Sequence, residues 1–335
     1  MNCYLCGDEN LNVIRQKLRY DISRNVLRCG NCGVVYLQPR EESLEDYYCE
    51  DYRKKHSPIL GEALSSREIF EYHLPFQGPR VERLRPVLTS SSRVLDIGCS
   101  AGHFLHSIRE QVHEVVGAEF NKSDAAFVNE ELGIKTYTEP LVETDLPKEH
   151  FDIITMFHVL EHIDDPITFL ETTRSYLKPG GHIYVEVPNL QDAMLSLYEV
   201  KEYADFWFRE PHIFYFSAQT LSAVLEKSGY SGRIQTAQRY SLLNHLSWQL
   251  TRGPQKTMDD AMRSPALIRS ETAPPEVCDD LNEWFRRVDQ EYRALVEKHG
   301  MGDSLFFLGQ PQNRDSAGCS SREGVALGSR RLALR

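Results

Sequence analysis

The sequence predicts an α/β fold: a parallel sheet covered by helices, preceded by a small metal-binding ribbon and interrupted by a helical insertion before the last strand. Three observations lead to this prediction. From residue 93 onward, apolar runs of about five residues alternate with segments of helical period, which is typical of a sheet with helices on its faces. Two C-x-x-C pairs lie near the start of the chain. About 65 residues separate the last two strand-like runs.

Composition and charge narrow the classes of function. The 335 residues allow about two domains, or one large core with appendages. With 38 basic against 49 acidic residues the net charge is −11, which makes a nucleic acid an unlikely main partner. No stretch approaches the roughly 18 apolar residues of a membrane helix, and the N-terminus lacks the pattern of a signal peptide. We therefore expect a cytoplasmic protein with no membrane partner.

Four cysteines near the N-terminus have the spacing of a metal site. Cys3 and Cys6 form one C-x-x-C pair, and Cys29 and Cys32 form the second, with 22 residues between the pairs. Two such pairs complete a tetrahedral site, and four cysteines leave no position open for water. We expect a structural Zn²⁺ in a zinc ribbon formed by residues 1–40. Two disulfides or unligated thiols are the alternatives, but a disulfide framework is unusual in the cytosol.

The segment between the two cysteine pairs is basic. Over residues 15–28 its positive residues are Arg15, Lys17, Arg19, Arg24 and Arg28, against a single acidic residue, Asp21. A loop of this charge is able to hold a phosphate. A solvated hairpin that alternates around Leu18, Tyr20, Ile22 and Val26 explains the same pattern equally well.

Further along the chain the pattern predicts a connector, a large domain and a tail. We expect a helical connector over residues 41–90, the large domain over 91–310 and a disordered tail over 311–335. The expected strands are 94–97, 115–118, 151–156 and 182–187, followed by two more near 233–237 and 303–308. The expected helices are about 102–111, 123–132, 165–177 and 218–228, the last with Ser217 as N-cap and Gly229 as its end.

A glycine turn follows the first expected strand of the large domain. Gly98, Ser100 and Gly102 come directly after Asp96, where small residues permit a tight turn and the next helix offers free N–H groups. Glu119 ends the second strand, where a carboxylate can accept hydrogen bonds from both hydroxyls of a ribose. A nucleoside-bearing cofactor is therefore expected. The spacing lacks the G-x-G-x-x-G that seats a pyrophosphate, and Asp96 favours a cationic ligand.

At these motifs the chain resembles the class I S-adenosylmethionine-dependent methyltransferases. The resemblance covers about residues 90–235 and rests on segments 94–102, 151–154, 158–166 and 177–181 together with Glu119. It implies a Rossmann-like seven-stranded methyltransferase sheet. In that family glycine is common where Ser100 stands, so this chain departs mildly from the pattern.

The resemblance also implies roles for individual residues. Asp96, Gly98, Cys99, Ser100 and Gly102 would line the methionine part of the cofactor. Glu119 would hold the ribose, Phe120 would pack on the adenine, Glu139 would approach the base, and Phe157 and His158 would border the methyl group.

Three polar residues follow the expected strand 151–156 at helical spacing. His158, Glu161 and His162 lie at i, i+3 and i+4 and would share one face of a helical turn. This stretch resembles ubiquinone-pathway O-methyltransferases, which carry carboxylates and a histidine around a metal, although His158 here replaces one carboxylate. The favoured interpretation places His158 beside the cofactor, with Glu161 and His162 bracing the turn; a second metal is the alternative.

An aromatic stretch over residues 207–216 follows the expected strand 182–187 and would lie above the carboxyl ends of the strands. Together with the ribbon, segment 210–217 resembles sugar C-methyltransferases that act on nucleotide-linked keto-sugars. The resemblance implies that His212 is the general base, with His162 as the second candidate. A buried histidine bonded to a backbone carbonyl is the structural alternative.

The insertion, about residues 241–300, contains an amphipathic helix that ends at Gly300. Its apolar residues are Leu281, Trp284, Phe285, Val288, Tyr292 and Leu295. The chain that follows the expected strand near 233–237 should emerge on the cofactor side, so the insertion is a candidate acceptor lid. The alternative is that the helix supplies the face of a homodimer.

Taken together, these features predict an enzyme that transfers a methyl group from S-adenosylmethionine to a small-molecule acceptor. A nucleotide-linked sugar or a natural-product intermediate is the candidate acceptor. An RNA methyltransferase that uses the ribbon to bind RNA, or a catalytically silent protein with an interacting ribbon, are the alternatives.

Overall fold

The computed structural model describes residues 1–39, 64–263 and 267–312. The expected connector falls outside the described residues as far as residue 63, and the expected disordered tail falls outside them from residue 313. Among the helices of the described ranges, none has the length and apolar character needed to span a membrane.

The described residues form both strands and helices. In chain order the described strands are β1 (Leu11–Lys17), β2 (Ser23–Cys29), β3 (Val35–Leu37), β4 (Arg93–Ile97), β5 (Glu114–Ala118), β6 (Thr136–Tyr137), β7 (Phe151–Phe157), β8 (Leu177–Pro188), β9 (Phe214–Tyr215), β10 (Tyr230–Ala237) and β11 (Ser304–Pro311). The described α-helices are α1 (Ser66–His73), α2 (Gly78–Leu84), α3 (His103–Ile108), α4 (Lys122–Glu130), α5 (Pro166–Arg174), α6 (Ala193–Ser196), α7 (Lys201–Trp207), α8 (Ala218–Lys227), α9 (Leu242–Thr251), α10 (Met258–Met262) and α11 (Pro275–Lys298).

Seven strands form the main sheet in the order β10-β11-β8-β7-β4-β5-β6. This confirms the predicted Rossmann-like α/β fold. The four expected strands of the large domain appear as β4, β5, β7 and β8, and the two late ones as β10 and β11. β4 runs parallel to both β5 and β7, and β5 runs parallel to β6. The sequence analysis missed β6, which is only two residues long and therefore carries no alternation.

The expected helices are confirmed, with ends that differ by a few residues. The largest differences are at the C-termini: α3 ends at Ile108 rather than 111, and α5 ends at Arg174 rather than 177. The predicted signals around α8 are present, because Ser217 Oγ accepts a hydrogen bond from the Thr220 N–H and Gly229 has a φ of +77°.

The chain divides into two compact units. The first combines Met1–Leu64, Glu186–Leu221 and Ile234–Phe306, and the second combines Ser65–Val185, Ser222–Arg233 and Phe307–Arg335. The first unit thus contains the cysteine pairs, the aromatic stretch and the insertion. The second contains the glycine turn and the segments on which the methyltransferase resemblance rests.

The first unit has a small sheet of its own, in the order β1-β2-β3-β9. β1 and β2 form the predicted hairpin, whose turn holds Tyr20 and Asp21 at positive φ. β3 pairs antiparallel with β9, where Val35 faces Tyr215 and Tyr36 faces Phe214. The ribbon therefore shares a sheet with the aromatic stretch, a pairing that the sequence analysis did not anticipate.

A hydrophobic core also joins the ribbon to later parts of the first unit. Its buried members are Leu18, Val26, Val35, Leu37, Met194, Val200, Tyr203, Trp207, Phe208, Tyr215 and Trp248. Residues from the ribbon, the aromatic stretch and α9 thus bury one another, so the ribbon's stability depends on packing as well as on its cysteines.

The long helix of the insertion is confirmed as α11, but its apolar stripe is largely exposed. Leu281, Trp284 and Leu295 are each more than 40% exposed, whereas Asn282 and Asp289 are buried. The Asn282 side chain bonds both backbone groups of Ile268, and Asp289 accepts a hydrogen bond from the Leu242 N–H. Because these backbone groups satisfy the buried polar side chains, α11 can bury the face that carries Asn282 and Asp289 rather than its apolar face.

Candidate active site

The glycine turn of the second unit has the conformation that its residues suggest. Gly98 and Gly102 have φ values of +71° and +76°, in the left-handed region that glycine adopts readily. A Cβ atom at Gly98 would lie 2.4 Å from a methyl carbon of Val159, so this position requires glycine for space as well as for conformation. Gly102 also serves as the N-cap of α3.

Ser100 lies between them with a φ of +49°, again in the left-handed region. Glycine adopts this conformation without strain, which explains why it is common in the family at the position that Ser100 occupies here. Cys99 is buried, and burial raises the pKa of its thiol, which therefore stays neutral. The turn can offer a ligand the backbone of Cys99 rather than its sulfur.

Glu119, at the end of β5, is bonded directly to the turn. Its Oε2 accepts a hydrogen bond from the Ser100 N–H and its Oε1 accepts one from the Asn121 N–H, both 2.8 Å long. The side chain of Asn121 in turn caps α4. The half-buried carboxylate thus links the turn after β4 to the loop after β5.

Asp96 lies at the end of β4 and is almost completely buried. The Thr155 hydroxyl donates a hydrogen bond of 2.7 Å to its carboxylate. Burial raises the pKa of Asp96 to about 7, and Glu119 adds to this effect while Thr155 and Arg80 oppose it. The carboxyl group is therefore poised to change charge near neutral pH.

The sequence analysis missed Arg80, which belongs to α2. Its guanidinium carbon lies 4.2 Å from the centre of the Phe157 ring, and its Nη1 donates a hydrogen bond to the Gln77 side chain. Phe157, at the end of β7, packs against Phe104 with ring centres 4.6 Å apart. Arg80 thus covers the aromatic residue that was predicted to border the methyl group.

The sequence contains a local signal for the start of α1, the helix that precedes α2. Ser65 and Glu68 form a reciprocal capping box at the start of α1, and this S-x-x-E pattern precedes a helical period in the sequence. The segment was treated as a connector because its apolar periodicity is weak. The contact between Arg80 and Phe157 has no local signal, since 76 intervening residues separate them.

Phe120 and Glu139 remain predictions as cofactor-binding residues. Phe120 follows β5 and its side chain is 39% exposed. Glu139 is also exposed, and its carboxylate accepts a hydrogen bond from the Thr138 N–H. Both lie near strand ends of the second unit and are accessible to a ligand.

The structure brings His158, Glu161 and His162 together on a 3-10 turn over Leu160–His162. Glu161 Oε1 lies 3.4 Å from His158 Nδ1 and 3.9 Å from His162 Nε2. Both carboxylate oxygens of Glu161 are buried and, within the described ranges, accept no hydrogen bond. A protonated imidazole or a divalent cation would supply the charge that this carboxylate needs.

His212 belongs to the first unit and is only 5% exposed. Its backbone N–H donates to the Arg209 carbonyl over 3.2 Å, and its ring centre lies 6.2 Å from that of Tyr215. The Tyr215 hydroxyl donates to the same carbonyl. Tyr215 therefore packs near the imidazole without orienting it through a hydrogen bond.

The four predicted metal ligands of the first unit also converge. The sulfur atoms of Cys3 and Cys32 are 3.5 Å apart, those of Cys6 and Cys29 are 3.6 Å apart, and all four lie within 4.8 Å of one another. These separations exceed a disulfide bond and are close to the edge of about 3.8 Å expected for sulfur ligands around a tetrahedral Zn²⁺. All four cysteines are free. The arrangement is compatible with the predicted zinc ribbon and argues against the disulfide alternative.

Comparison with known proteins agrees with this geometry. Residues 70–233, just under half of the chain, match the family model of a methyltransferase domain. The chain is similar to ubiquinone biosynthesis O-methyltransferases from Vibrio cholerae, at 31% identity, and from Aliivibrio fischeri, at 30%. Each similarity extends over 103 residues, which is 29% of this chain and 42% or 44% of the relative. The chain therefore spans less than half the length of these curated relatives.

Two solved structures are among those to which the chain is similar. A SAM dependent methyltransferase from Archaeoglobus fulgidus is 22% identical, with a TM-score of 0.46 over 72% of this chain and 96% of the other. The [4+2]-cyclase SpnF is 16% identical, with a TM-score of 0.43 over 72% of this chain and 81% of the other. The chain thus matches a methyltransferase domain over residues 70–233, and the main sheet, to which β4 to β8 of this segment belong, has a Rossmann-like strand order.

Proposed function

We propose that this protein transfers a methyl group from S-adenosylmethionine to a small-molecule acceptor. The observation that carries the proposal is the bonding of Glu119 to the glycine turn within the matched domain. When bound, S-adenosylmethionine supplies an electrophilic methyl group on a positively charged sulfur. The relatives named as O-methyltransferases support a small-molecule acceptor, and the resemblance of segment 210–217 to sugar C-methyltransferases leaves the acceptor atom to experiment.

The second unit contains groups that fit the cofactor. Gly98 and Gly102 allow the tight turn after β4, and the free N–H groups at the start of α3 suit the carboxylate of the ligand. The Glu119 carboxylate would accept hydrogen bonds from the ribose hydroxyls. These bonds would either replace one of its bonds to a backbone N–H group or be formed in addition to them. Asp96, when ionised, would attract the positive charge of the ligand.

The reaction also needs a group that accepts a proton from the methyl acceptor. As the acceptor atom forms its bond to the methyl carbon, the carbon–sulfur bond breaks and the acceptor loses a proton. His212 is the proposed general base, because it is buried among aromatic residues and histidine titrates near neutral pH. His162 is the second candidate for this role, and His158 is the third.

We also propose that Cys3, Cys6, Cys29 and Cys32 bind one structural Zn²⁺. The four sulfur atoms provide a closed set of ligands with no position for a substrate. The ion would stabilise the hairpin whose residues enter the core of the first unit.

The first prediction concerns Glu119. Glu119→Gln should weaken S-adenosylmethionine binding about ten- to a hundredfold, because the amide group can replace only one of the two acceptor oxygens. Titration calorimetry measures the effect, with Glu130→Gln at the exposed end of α4 as the matched control. A 2′,3′-dideoxyribose analogue of the cofactor should bind both proteins with similar affinity. Unchanged binding of S-adenosylmethionine by Glu119→Gln would remove this carboxylate from the site.

The second prediction is a pH dependence set by Asp96, whose pKa burial raises to about 7. Below this pH the carboxyl group is neutral, so cofactor affinity should be low and should rise between about pH 6 and pH 8 as the group ionises. Binding should release a proton, because the ligand's positive charge lowers the pKa of Asp96. In Asp96→Asn the affinity should be nearly constant over this range. A constant affinity in the unmodified protein would contradict the prediction.

The third prediction concerns the metal. Cys29→Ser should lose zinc and loosen the first unit beyond residue 40, because Leu18, Val26, Val35 and Leu37 pack in the same core as Trp207 and Trp248. Elemental analysis should give one zinc per chain before the change and none after it, and tryptophan emission should shift to the red. Cys278→Ser, on α11, is the control and should change neither measurement. S-adenosylmethionine binding should persist, and freshly purified protein without zinc would refute the proposed site.

The fourth prediction tests the base. Once an acceptor is identified among phenols and nucleotide-linked keto-sugars, His212→Asn should reduce turnover about 10²- to 10⁴-fold with unchanged cofactor affinity. Any loss of activity at low pH that comes from protonation of the base should be absent in the variant. His299→Asn, at the exposed end of α11, should have normal turnover. Normal turnover by His212→Asn together with a loss in His162→Asn would assign the base to His162.

A further inference from the structure

Arg19 is a buried cation in the turn between β1 and β2. Only 7% of the residue is exposed, and its backbone N–H donates to the Phe208 carbonyl over 2.7 Å. Its guanidinium carbon lies 3.7 Å from the ring centre of Phe206 and 5.0 Å from that of Tyr20. Aromatic faces stabilise a cation but carry no net negative charge, so the charge of Arg19 is only partly compensated.

A second guanidinium belongs to the same neighbourhood. Arg209 follows Phe208 directly, and its Nε is buried with no hydrogen-bond partner within the described part of the chain. Burial, together with the nearby positive charge of Arg209, lowers the pKa of Arg19 to about 10. Arg19 therefore remains charged at neutral pH, and the positive charge of Arg209 repels it.

Carboxylates are missing from this pair, although other arginines of the first unit have them. Arg15 pairs with Asp205, and Arg239 pairs with Asp303 at 2.6 Å. Among the ranges that the structure describes, no ion pair joins Arg19 or Arg209 to an acidic side chain. Two neighbouring cations without a counter-charge are unfavourable by themselves, and they become favourable when a negatively charged ligand binds.

Tyr240 adds a hydroxyl group to this cluster. It follows β10 in the chain, and it interacts electrostatically with both Arg19 and Arg209. In open α/β sheets ligands bind beyond the carboxyl ends of the strands, which is where the chain leaves β10. The two arginines therefore lie beside a segment that is suited to contact a substrate.

We propose that Arg19 and Arg209 bind the phosphoryl group of a phosphorylated small molecule, with Tyr240 as an additional hydrogen-bond donor. Two guanidinium groups carry two positive charges, which match a phosphate ester of about −2 charge better than a carboxylate of −1. Guanidinium groups also present paired donors to phosphate oxygens. This inference rests on the proposed function, because the phosphoryl group would belong to the methyl acceptor.

Titration calorimetry of the full chain with inorganic pyrophosphate tests the inference. We expect measurable binding by the unmodified protein and a loss of affinity of about tenfold or more in Arg19→Gln and in Arg209→Gln. Arg287→Gln removes the same charge from the exposed side of α11 and should bind pyrophosphate normally. An equal loss in Arg287→Gln would overturn the proposal, because the effect would then reflect overall charge.

A second titration with S-adenosylmethionine separates this inference from the proposed function. Cofactor binding without pyrophosphate binding in the unmodified protein would overturn the phosphoryl site and leave the methyltransferase proposal intact. Pyrophosphate binding without cofactor binding would overturn the methyltransferase proposal and leave the phosphoryl site intact. If Arg19→Gln fails to fold, as judged from its tryptophan emission, Arg209→Gln decides the question.

Two competing ligands complete the experiment. Succinate tests for a carboxylate site, and it should bind at least tenfold more weakly than pyrophosphate. A short single-stranded RNA tests for a nucleic-acid surface, and Arg19→Gln and Arg209→Gln should not weaken its binding selectively. Succinate that binds as tightly as pyrophosphate, or RNA binding that both variants abolish, would overturn the assignment to a phosphorylated small molecule.

Discussion

The candidate cofactor site depends on one carboxylate, that of Glu119. Its two oxygens accept hydrogen bonds from the N–H groups of Ser100 and Asn121, so a single side chain connects the loops after two adjacent parallel strands. The turn it holds is unfavourable by itself, since Ser100 is a non-glycine residue at positive φ. A charge-assisted hydrogen bond to that residue's N–H compensates for part of this strain. The Glu119 carboxylate therefore both stabilises the conformation of the turn and is the group proposed to bind the ribose.

The first unit follows a different constraint, which is the shared burial of residues from distant parts of the chain. The ribbon is too small to bury a core by itself, and its strand β3 completes a sheet with β9. Its apolar residues then pack around Trp207 and Trp248. The aromatic stretch that contains His212 is held by the same sheet. The proposed metal site and the proposed base thus belong to one folding unit.

Buried charge distinguishes the parts of this protein that are suited to bind ligands from those that only pack. Asp289 and Asn282 are buried but bonded to backbone groups, and they stabilise the insertion. Asp96, Glu161 and the pair of Arg19 and Arg209 are buried with incomplete compensation. Leaving a charge in this state is unfavourable unless a ligand, a proton or an ion supplies the missing partner. Each of these places therefore marks a candidate site.

The sequence by itself determined the main sheet, the glycine turn and the four-cysteine cluster. These features are local: apolar runs specify strands, Gly98 and Gly102 permit positive φ, and C-x-x-C spacing brings two sulfur atoms together. Only the tertiary structure decided that β3 pairs with β9, that Arg80 covers Phe157, and that α11 buries Asn282 rather than Leu281. It also brought Arg19 next to the segment around Arg209, about 190 residues away. Such contacts carry no local periodicity, because they arise when distant segments exclude water from a common core.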